Sequence, residues 1–212
     1  MNISVELVKK LREMSGAPMM ECKRALEEAN GDLELAFTIL RKRGQAAAAK
    51  KAGRVATQGL VGSYIHPGAQ IGVIVEVNCE TDFVARNEEF QQLVHDLAMQ
   101  ICATDPRFIR KEEVTAETLE QEKKILREQA ATSGKPEAVL GRIVDGKLGK
   151  FYEDTCLYEQ HFIKDVTGSL TIKELIASKV AKFGENIAVR RFARFKVSEG
   201  LTKAAAEDAA AG

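Results

Sequence analysis

The segment IGVIVEVNCETDFVARN, residues 71–87, is the most informative part of the chain, because a strand pattern changes into a helix pattern within it. Apolar residues first occupy every second position, and this spacing predicts a β-strand with one buried face. Apolar residues then recur at helical spacing over 83–101, which predicts a helix packed on the sheet. The strand residues are Ile71, Val73, Val75 and Val77, and the helix residues are Phe83, Phe90, Leu93, Val94, Leu97, Ala98 and Ile101.

The corner between the two patterns, ETDFV, has two interpretations. In the first, Thr81 or Asp82 caps the following helix by accepting from its free N–H groups, and Phe83 folds back onto the strand. In the second, the short turn presents an acid and an aromatic ring to a partner outside the chain. Taken by itself the motif favours the cap, and the residues leave the second interpretation open.

The N-terminal part of the chain has the pattern of a small helical bundle. Three apolar stripes at helical spacing lie between residues 4 and 43, and Pro18, Gly31 and Asp32 mark the helix boundaries. We therefore expect a three-helix domain over residues 1–43.

The stretch RKRGQAAAAKKAGR, residues 41–54, carries six cations and no acid. The Ala-rich part can form a helix, but the glycines predict a tether between two units, and we assign this basic linker to residues 44–58. A strip that binds nucleic acid is the alternative, but the stretch has no aromatic side chains on which bases could stack. The linker is therefore favoured, and we expect no direct contact with nucleic acid.

The rest of the chain predicts a mixed core that a helical hairpin interrupts. Residues 59–66 and 71–78 should pair as a β-hairpin within a first core part, residues 59–114. Two facing apolar stripes over 115–149 predict an antiparallel helical hairpin that projects from the core. Residues 150–198 then complete the core with one helix and one strand.

The last strand, IAVRRFARFKV at 187–197, is predicted to be amphipathic. Its apolar face should carry Ile187, Val189, Ala193, Phe195 and Val197, and its exposed face should be made basic by Arg190, Arg191 and Arg194. Residues 199–212 have little to bury and predict a disordered tail. The predicted fold class is α+β, with a three-helix domain, a small antiparallel sheet with packed helices, and a helical hairpin.

Composition excludes several classes of function. Lys+Arg and Asp+Glu balance at 31 each, so the overall charge does not indicate a protein devoted to nucleic acid or to anionic membranes. No apolar run approaches the roughly 18 residues of a membrane span, and the first residues lack the apolar region of a signal peptide. We therefore expect a cytoplasmic protein that does not bind membranes.

The sequence also argues against an enzyme. Phosphate loops, nucleophile elbows and paired histidines at metal spacing are missing from it. Cys79 lies between Asn78 and Glu80, so no neighbouring cation stabilises its thiolate. Glu80 and Asp82 have too few further oxygen ligands nearby to form a metal site. We expect no catalytic residue, no metal and no cofactor, and we infer an interaction protein.

Several segments resemble the bacterial translation elongation factor Ts family. They are LVKKLREMSGAPMMECKRALEEANGDLELAFTILRKRG, KKAGRVATQG, IGVIVEVNCETDFVARNEEF, SGKP and GENIAVRRFARFKV. The resemblance implies a guanine-nucleotide exchange factor that binds elongation factor Tu, both GDP-bound and nucleotide-free, and promotes GDP release. It also implies that the three-helix domain is ubiquitin-associated-like (UBA-like) and that the helical hairpin is a protruding coiled coil.

The resemblance assigns a role to the corner. Asp82 and Phe83 match the residues of the family's motif that push into the GTPase near its nucleotide-bound Mg²⁺, and Thr81 and Val84 would fix the turn. GDP is held largely by its phosphates and their Mg²⁺, so displacing the groups that position the ion weakens nucleotide binding without breaking a covalent bond.

The resemblance further implies a second contact and a dimer. Met19, Met20 and Lys23 match a patch that contacts the nucleotide-binding domain of elongation factor Tu, and since adjacent helical residues cannot both point inward, one methionine should be exposed. Pro18 departs from the family, in which glycine is common at this position.

Longer relatives have a duplicated core that this chain lacks, so a homodimer is implied. The alternative function is a UBA-like and coiled-coil adaptor, or an RNA-binding protein, without exchange activity.

Overall fold

The computed structural model of the chain describes residues 3–131 and 137–200, which form an α+β fold. The described residues contain eight α-helices and one three-stranded sheet. The helices are α1 (Val5–Ser15), α2 (Met19–Glu28), α3 (Leu33–Lys51), α4 (Asp82–Ala85), α5 (Glu88–Thr104), α6 (Ala116–Ala131), α7 (Glu137–Thr155) and α8 (Ile172–Phe183). The strands are β1 (Gln58–Ile65), β2 (Ile71–Cys79) and β3 (Ala188–Lys196).

The N-terminal helices α1–α3 enclose a hydrophobic cluster of their own. Ser4 and Asp32 cap α1 and α3 by accepting from backbone N–H groups, and Gly16 ends α1 with a positive φ of 64°. The cluster contains Val8, Leu11, Cys22, Ala25, Leu26, Ala29 and Ala36. The predicted three helices are therefore confirmed.

Helix α3 continues to Lys51, beyond the predicted end of the three helices at residue 43 and through the Ala-rich part of the predicted linker. Four consecutive alanines favour the helix, and two lysines in its last turn complement the helix dipole. Gly44 is buried, and a Cβ at this position would lie 3.7 Å from the carbonyl oxygen of Ala177 in α8. Helix α3 therefore packs directly against α8. The Ala-rich residues are therefore helical, which the sequence left open, and the division of the chain into domains stays a prediction.

The sheet has the antiparallel order β1-β2-β3, which confirms the predicted β-hairpin. Helix α5 covers one face of the sheet, where the alternate residues of β2 are buried. A Cβ at Gly62 of β1 would lie 2.4 Å from Cγ1 of Val94, so the absence of a side chain lets α5 approach the strand. The inner face of the sheet and α5 thus form the main core together with α8.

A β-bulge in β3 reverses its side-chain pattern. Val77 pairs with Val189 but Glu76 pairs with Arg191, so Arg190 is an extra residue in the ladder. Val189 is buried on the inner face, whereas Phe195 is 70% exposed. The predicted common face of Ile187, Val189, Ala193, Phe195 and Val197 is therefore wrong, because one inserted residue moves every later side chain to the other face.

The bulge also corrects the predicted basic face of β3. Arg190 and Arg191 both bind the carboxylate of Glu76 on the outer face, at 2.8 and 2.7 Å. Arg194 opposes the inward residue Val73, and its side chain is only 9% exposed, beside Asp105. Two of the three arginines, rather than all three, therefore lie on the exposed face.

Helices α6 and α7 pack against each other as the predicted helical hairpin. Leu126 and Val144 are buried between them and Leu148 packs alongside. Helix α7 continues to Thr155, six residues beyond the predicted end at 149. The SGKP turn and residues 201–212 of the predicted tail lie outside the described residues.

Candidate functional site

The corner between β2 and α5 is built from the short helix α4 and its cap. Thr81 is the N-cap, and its hydroxyl accepts a hydrogen bond from the N–H of Val84 at 3.4 Å. Val84 and Ala85 are buried against the sheet, whereas Phe83 is 82% exposed. The cap interpretation is confirmed for Thr81, but Phe83 does not fold back onto the strand. The corner therefore presents an aromatic ring to solvent.

The exposure of Phe83 follows from a break between two helices. Asn87 accepts from the N–H of Glu89 and begins α5 anew, two residues after α4 ends at Ala85. The sequence predicted one continuous stripe from Phe83 to Ile101, and Phe83 is wrongly included in it. Because α4 is a single turn, its buried face holds only Val84 and Ala85, and the ring of Phe83 lies on the opposite side.

The loop between α8 and β3 holds the backbone of the corner. The carboxylate of Glu185 accepts from the backbone N–H groups of Glu80 and Thr81, at 3.1 and 3.0 Å, and from the hydroxyl of Thr81 at 2.6 Å. The N–H of Asn186 donates to Oε1 of Glu80 at 2.6 Å, and Nδ2 of Asn186 donates to the carbonyl of Arg54 at 2.8 Å. Three separate segments of the chain, at residues 54, 80–81 and 185–186, are therefore joined by hydrogen bonds at the corner.

Asp82 faces solvent at the same corner. Its carboxylate lies 3.1 Å from the guanidinium of Arg86, one helical turn away, and both side chains are exposed. Such an exposed pair is weak, at about 0–1 kcal/mol, so a partner can take over the carboxylate at little cost. The surrounding depression is wide open, and it is lined by Gln58, Glu80, Thr81, Asp82, Phe83 and Arg86.

The thiol of Cys79 belongs to the scaffold of the corner. It is buried, and its Sγ donates to the carbonyl of Thr81 at 3.1 Å. Burial, reinforced by the negative charge of Glu185, raises the pKa of the Cys79 thiol to about 11. The prediction that its thiolate is disfavoured is confirmed. In residues 3–131 and 137–200, no group of three or more His, Cys, Asp or Glu residues could hold a metal ion.

The second predicted contact, which we call the N-terminal patch, consists of Met19, Met20 and Lys23 on α2. Met19 and Met20 are 41% and 59% exposed, and Lys23 forms a loose surface pair with Glu27 at 3.9 Å. Both methionines face solvent, where the sequence required only one to do so. The patch and the corner belong to different hydrophobic clusters, so the chain has two separate exposed regions with predicted contact residues.

Glu185, Asn186 and Arg54 are residues of the corner that the sequence did not reveal. Glu185 and Asn186 lie 104 to 106 positions from their partners in the corner. Local periodicity cannot report such a contact. The only signal was the short polar segment GEN between α8 and β3, which breaks two apolar patterns.

The described residues present two exposed regions, one on the sheet-based core and one on the small helical bundle, and both carry predicted contact residues. A family model described as Elongation factor TS matches residues 37–170. The chain is 60% identical to elongation factor Ts of Koribacter versatilis, over 94% of this chain and 90% of the relative. It is 58% identical to that of Caldanaerobacter subterraneus subsp. tengcongensis over 95% of this chain and 100% of the relative. It is 53% identical to elongation factor Ts of Geobacter sulfurreducens over 99% of this chain and 96% of the relative. The chain belongs to the elongation factor Ts family.

Proposed function

We propose that the protein is a guanine-nucleotide exchange factor that binds elongation factor Tu·GDP and promotes GDP release, so that GTP can load during translation elongation. Membership of the elongation factor Ts family supports this function. The protein acts by binding, and it is not an enzyme in the usual sense. Its place of action is the cytoplasm. Each helix in the described part of the chain is too short or too polar to span a bilayer.

The mechanism rests on one observation: the ring of Phe83 is exposed, and hydrogen bonds to Glu185 hold the backbone of the corner that carries it. At 82% exposure, the ring contributes little to the core and is free to enter a partner. Phe83 and Asp82 enter elongation factor Tu near the nucleotide and disturb the groups that position Mg²⁺ and the phosphates. Thr81 and Val84 fix the turn, Thr81 as the cap and Val84 as the buried anchor. If the protein binds nucleotide-free elongation factor Tu more strongly than the GDP-bound form, it weakens the binding of GDP by the same free energy.

The N-terminal patch contributes affinity for elongation factor Tu and takes no part in displacing GDP. Exposed methionine side chains are flexible and polarizable, which suits them to a protein contact surface. Met19, Met20 and Lys23 contact the nucleotide-binding domain of elongation factor Tu, and the bundle α1–α3 is UBA-like. The helical hairpin α6–α7 is a protruding coiled coil.

The outer face of the sheet joins two copies of the chain in a homodimer. Its exposed apolar side chains come from all three strands and the residue after β3, and they are Val61, Ile65, Ile74, Phe195 and Val197. Ile65 opposes Gly72 on β2, and Gly72 opposes Phe195 on β3, so the two large side chains flank a small residue. Exposed apolar side chains grouped on one sheet face favour a protein contact, and a two-fold dimer would bury this face of each copy against the same face of the other. Sedimentation should give twice 23.3 kDa, and Phe195→Asp should give the single mass.

A nucleic-acid-binding strip at residues 41–54 is less well supported than exchange. Three of its six cations bind carboxylates of the same chain: Arg41 binds Glu174, Arg43 binds Glu28, and Arg54 lies 3.6 Å from Glu80. Fewer charges then remain for phosphates, on which such binding depends.

The test is release of a fluorescent GDP from elongation factor Tu with the protein at substoichiometric concentration. An exchange factor turns over, so each molecule should release many GDP molecules when excess unlabelled nucleotide is present. An adaptor binds without turnover, so release that stops at one GDP per molecule, or does not accelerate, would refute the proposed function.

A further inference from the structure

The carboxylate of Glu185 is the part of the corner that no prediction explains. It lies between α8 and β3, one residue after Gly184, which ends α8 with a positive φ of 74°. One oxygen, Oε2, accepts from two consecutive backbone N–H groups, and the other, Oε1, accepts from the Thr81 hydroxyl. A single side chain therefore takes three donors from the turn that carries Asp82 and Phe83.

These bonds replace partners that the turn cannot find elsewhere. Strand β2 ends at Cys79 and α4 begins at Asp82, so the N–H groups of Glu80 and Thr81 lie between the strand ladder and the helix. Leaving a partly buried N–H without a partner costs about 1–3 kcal/mol, and a charged acceptor makes a stronger bond than a neutral one. Glu185 thus fixes the backbone at the point where the chain changes direction.

The same carboxylate orients the cap of α4. The Thr81 hydroxyl donates its proton to Glu185 and accepts from the N–H of Val84. Because the proton is directed to Glu185, a lone pair of the hydroxyl remains directed at the first turn of α4. The start of α4, and with it the direction of the Phe83 side chain, is set through this chain of two bonds.

A second contact from the same loop holds the neighbouring residue. The N–H of Asn186 donates to Oε1 of Glu80, so the loop binds the corner once through a carboxylate of its own and once through a carboxylate of the corner. The Phe83 ring has no comparable support, since it is 82% exposed. Its orientation therefore depends on the backbone that Glu185 holds.

We propose that Glu185 is a positioning residue for nucleotide exchange: it holds the Glu80–Val84 backbone so that Asp82 and Phe83 are already in the orientation they need when the partner arrives. This inference rests on the proposed exchange function. Preorganised contacts do not have to be ordered during binding, and small misplacements of an acting group can cost one or two orders of magnitude in rate. Glu185 itself does not touch the nucleotide.

The test compares Glu185→Ala with Glu185→Gln in stimulated GDP release. In Glu185→Gln the side-chain carbonyl can accept from the two backbone N–H groups. The amide can donate to one lone pair of the Thr81 hydroxyl while the other still accepts from the N–H of Val84, so most of the geometry should be kept without the charge. We expect Glu185→Ala to lower the maximal release rate about tenfold while the half-saturating concentration changes little, and Glu185→Gln to restore most of the rate.

Asp165→Ala is the matched control. The Asp165 carboxylate also accepts from several backbone N–H groups, those of Thr167, Ser169 and Leu170, but it organises a different loop. The maximal rate of GDP release with Asp165→Ala should equal that with the unsubstituted protein. An equal loss in Asp165→Ala, or a wild-type rate in Glu185→Ala, would overturn the positioning role.

Phe83→Ala, measured in parallel, separates this inference from the proposed function. If Phe83→Ala exchanges normally, the proposed mechanism fails; if it is slow while Glu185→Ala is normal, only the positioning role fails. Should Glu185→Ala not fold, Thr81→Val tests the same chain of bonds, because it removes the hydroxyl and keeps the backbone N–H groups. A slow Thr81→Val with a normal Thr81→Ser supports the role, and a normal Thr81→Val contradicts it.

Discussion

The corner at residues 80–86 and the N-terminal patch both expose large apolar side chains, but they are supported in different ways. The carboxylate of Glu185 accepts hydrogen bonds from the corner, the N–H of Asn186 donates one to it, and these bonds hold the corner to the main core. The patch lies on α2, whose buried residues belong to the separate cluster of α1–α3. Rigid support suits a group that must displace something in its partner, whereas a contact that only holds a partner needs exposed area. The comparison therefore predicts that one region controls the rate of exchange and the other the affinity.

The largest effect should come from Phe83→Ala. A buried aromatic hot spot contributes about 2 kcal/mol or more, which corresponds to about a 30-fold fall in the maximal rate of GDP release. Thermal stability should hardly change, because the ring is exposed in the free protein. Stopped-flow release of fluorescent GDP checks the rate.

Val166→Ala is the control for Phe83→Ala. Val166 is a fully exposed apolar residue in the loop before α8, away from the corner, and its loss should leave exchange unchanged. If Phe83→Ala lowered the melting temperature sharply and left exchange per folded molecule intact, the ring would be a structural residue and the corner would lose its special role.

A smaller effect of a different kind should come from Met20→Ala in the N-terminal patch. Truncating an exposed contact residue removes about 1 kcal/mol of binding, so the half-saturating concentration should rise about fivefold with the maximal rate unchanged. A titration of exchange rate against protein concentration separates the two quantities. Leu35→Ala, which truncates another exposed apolar side chain of the same bundle, should change neither. A fall in maximal rate for Met20→Ala would abolish the distinction between the two regions.

The smallest effect concerns the sheet that supports the corner. Hydrogen bonds from Arg190 and Arg191 lower the pKa of Glu76 from 4.5 to about 2. The folded state therefore favours the ionised carboxylate, and this stabilisation is present above pH 4.5 and is lost as the pH falls towards 2. The melting temperature of the unsubstituted protein should fall more steeply over this interval than that of Glu76→Gln. Parallel curves for the two proteins would contradict the prediction.

The sequence predicted the elements of this fold better than the contacts between them. The strands and most helices follow from apolar spacing, which is a local property. The bulge at Arg190 could not be found in this way, since it depends on how β3 pairs with β2, and it changed the face assigned to Phe195. Helix α3 was ended too early because Gly44 suggested flexibility, although its small size lets the helix pack on α8.

The candidate site shows the same division. Thr81 as a cap was predictable from residue type and position, and the exposure of at least one methionine in the patch was predictable from helix geometry. The hydrogen bonds of Glu185 join it to partners 104 and 105 positions away, and the exposure of Phe83 depends on a helix break at Asn87 that the apolar stripe concealed. The contacts of Glu185 join distant segments, which local patterns do not encode, whereas the break at Asn87 is a local feature that the apolar stripe outweighed.

The most direct test measures the affinity of the protein for elongation factor Tu with and without GDP, for the unsubstituted protein and for Phe83→Ala. Reciprocity requires that GDP weaken binding of the protein by the same factor by which the protein weakens binding of GDP. If Phe83 drives displacement, Phe83→Ala should reduce both factors together, by about 30-fold, while binding to nucleotide-free elongation factor Tu approaches binding to the GDP form. A folded Phe83→Ala protein in which both factors remain unchanged would contradict the role of the corner in nucleotide release.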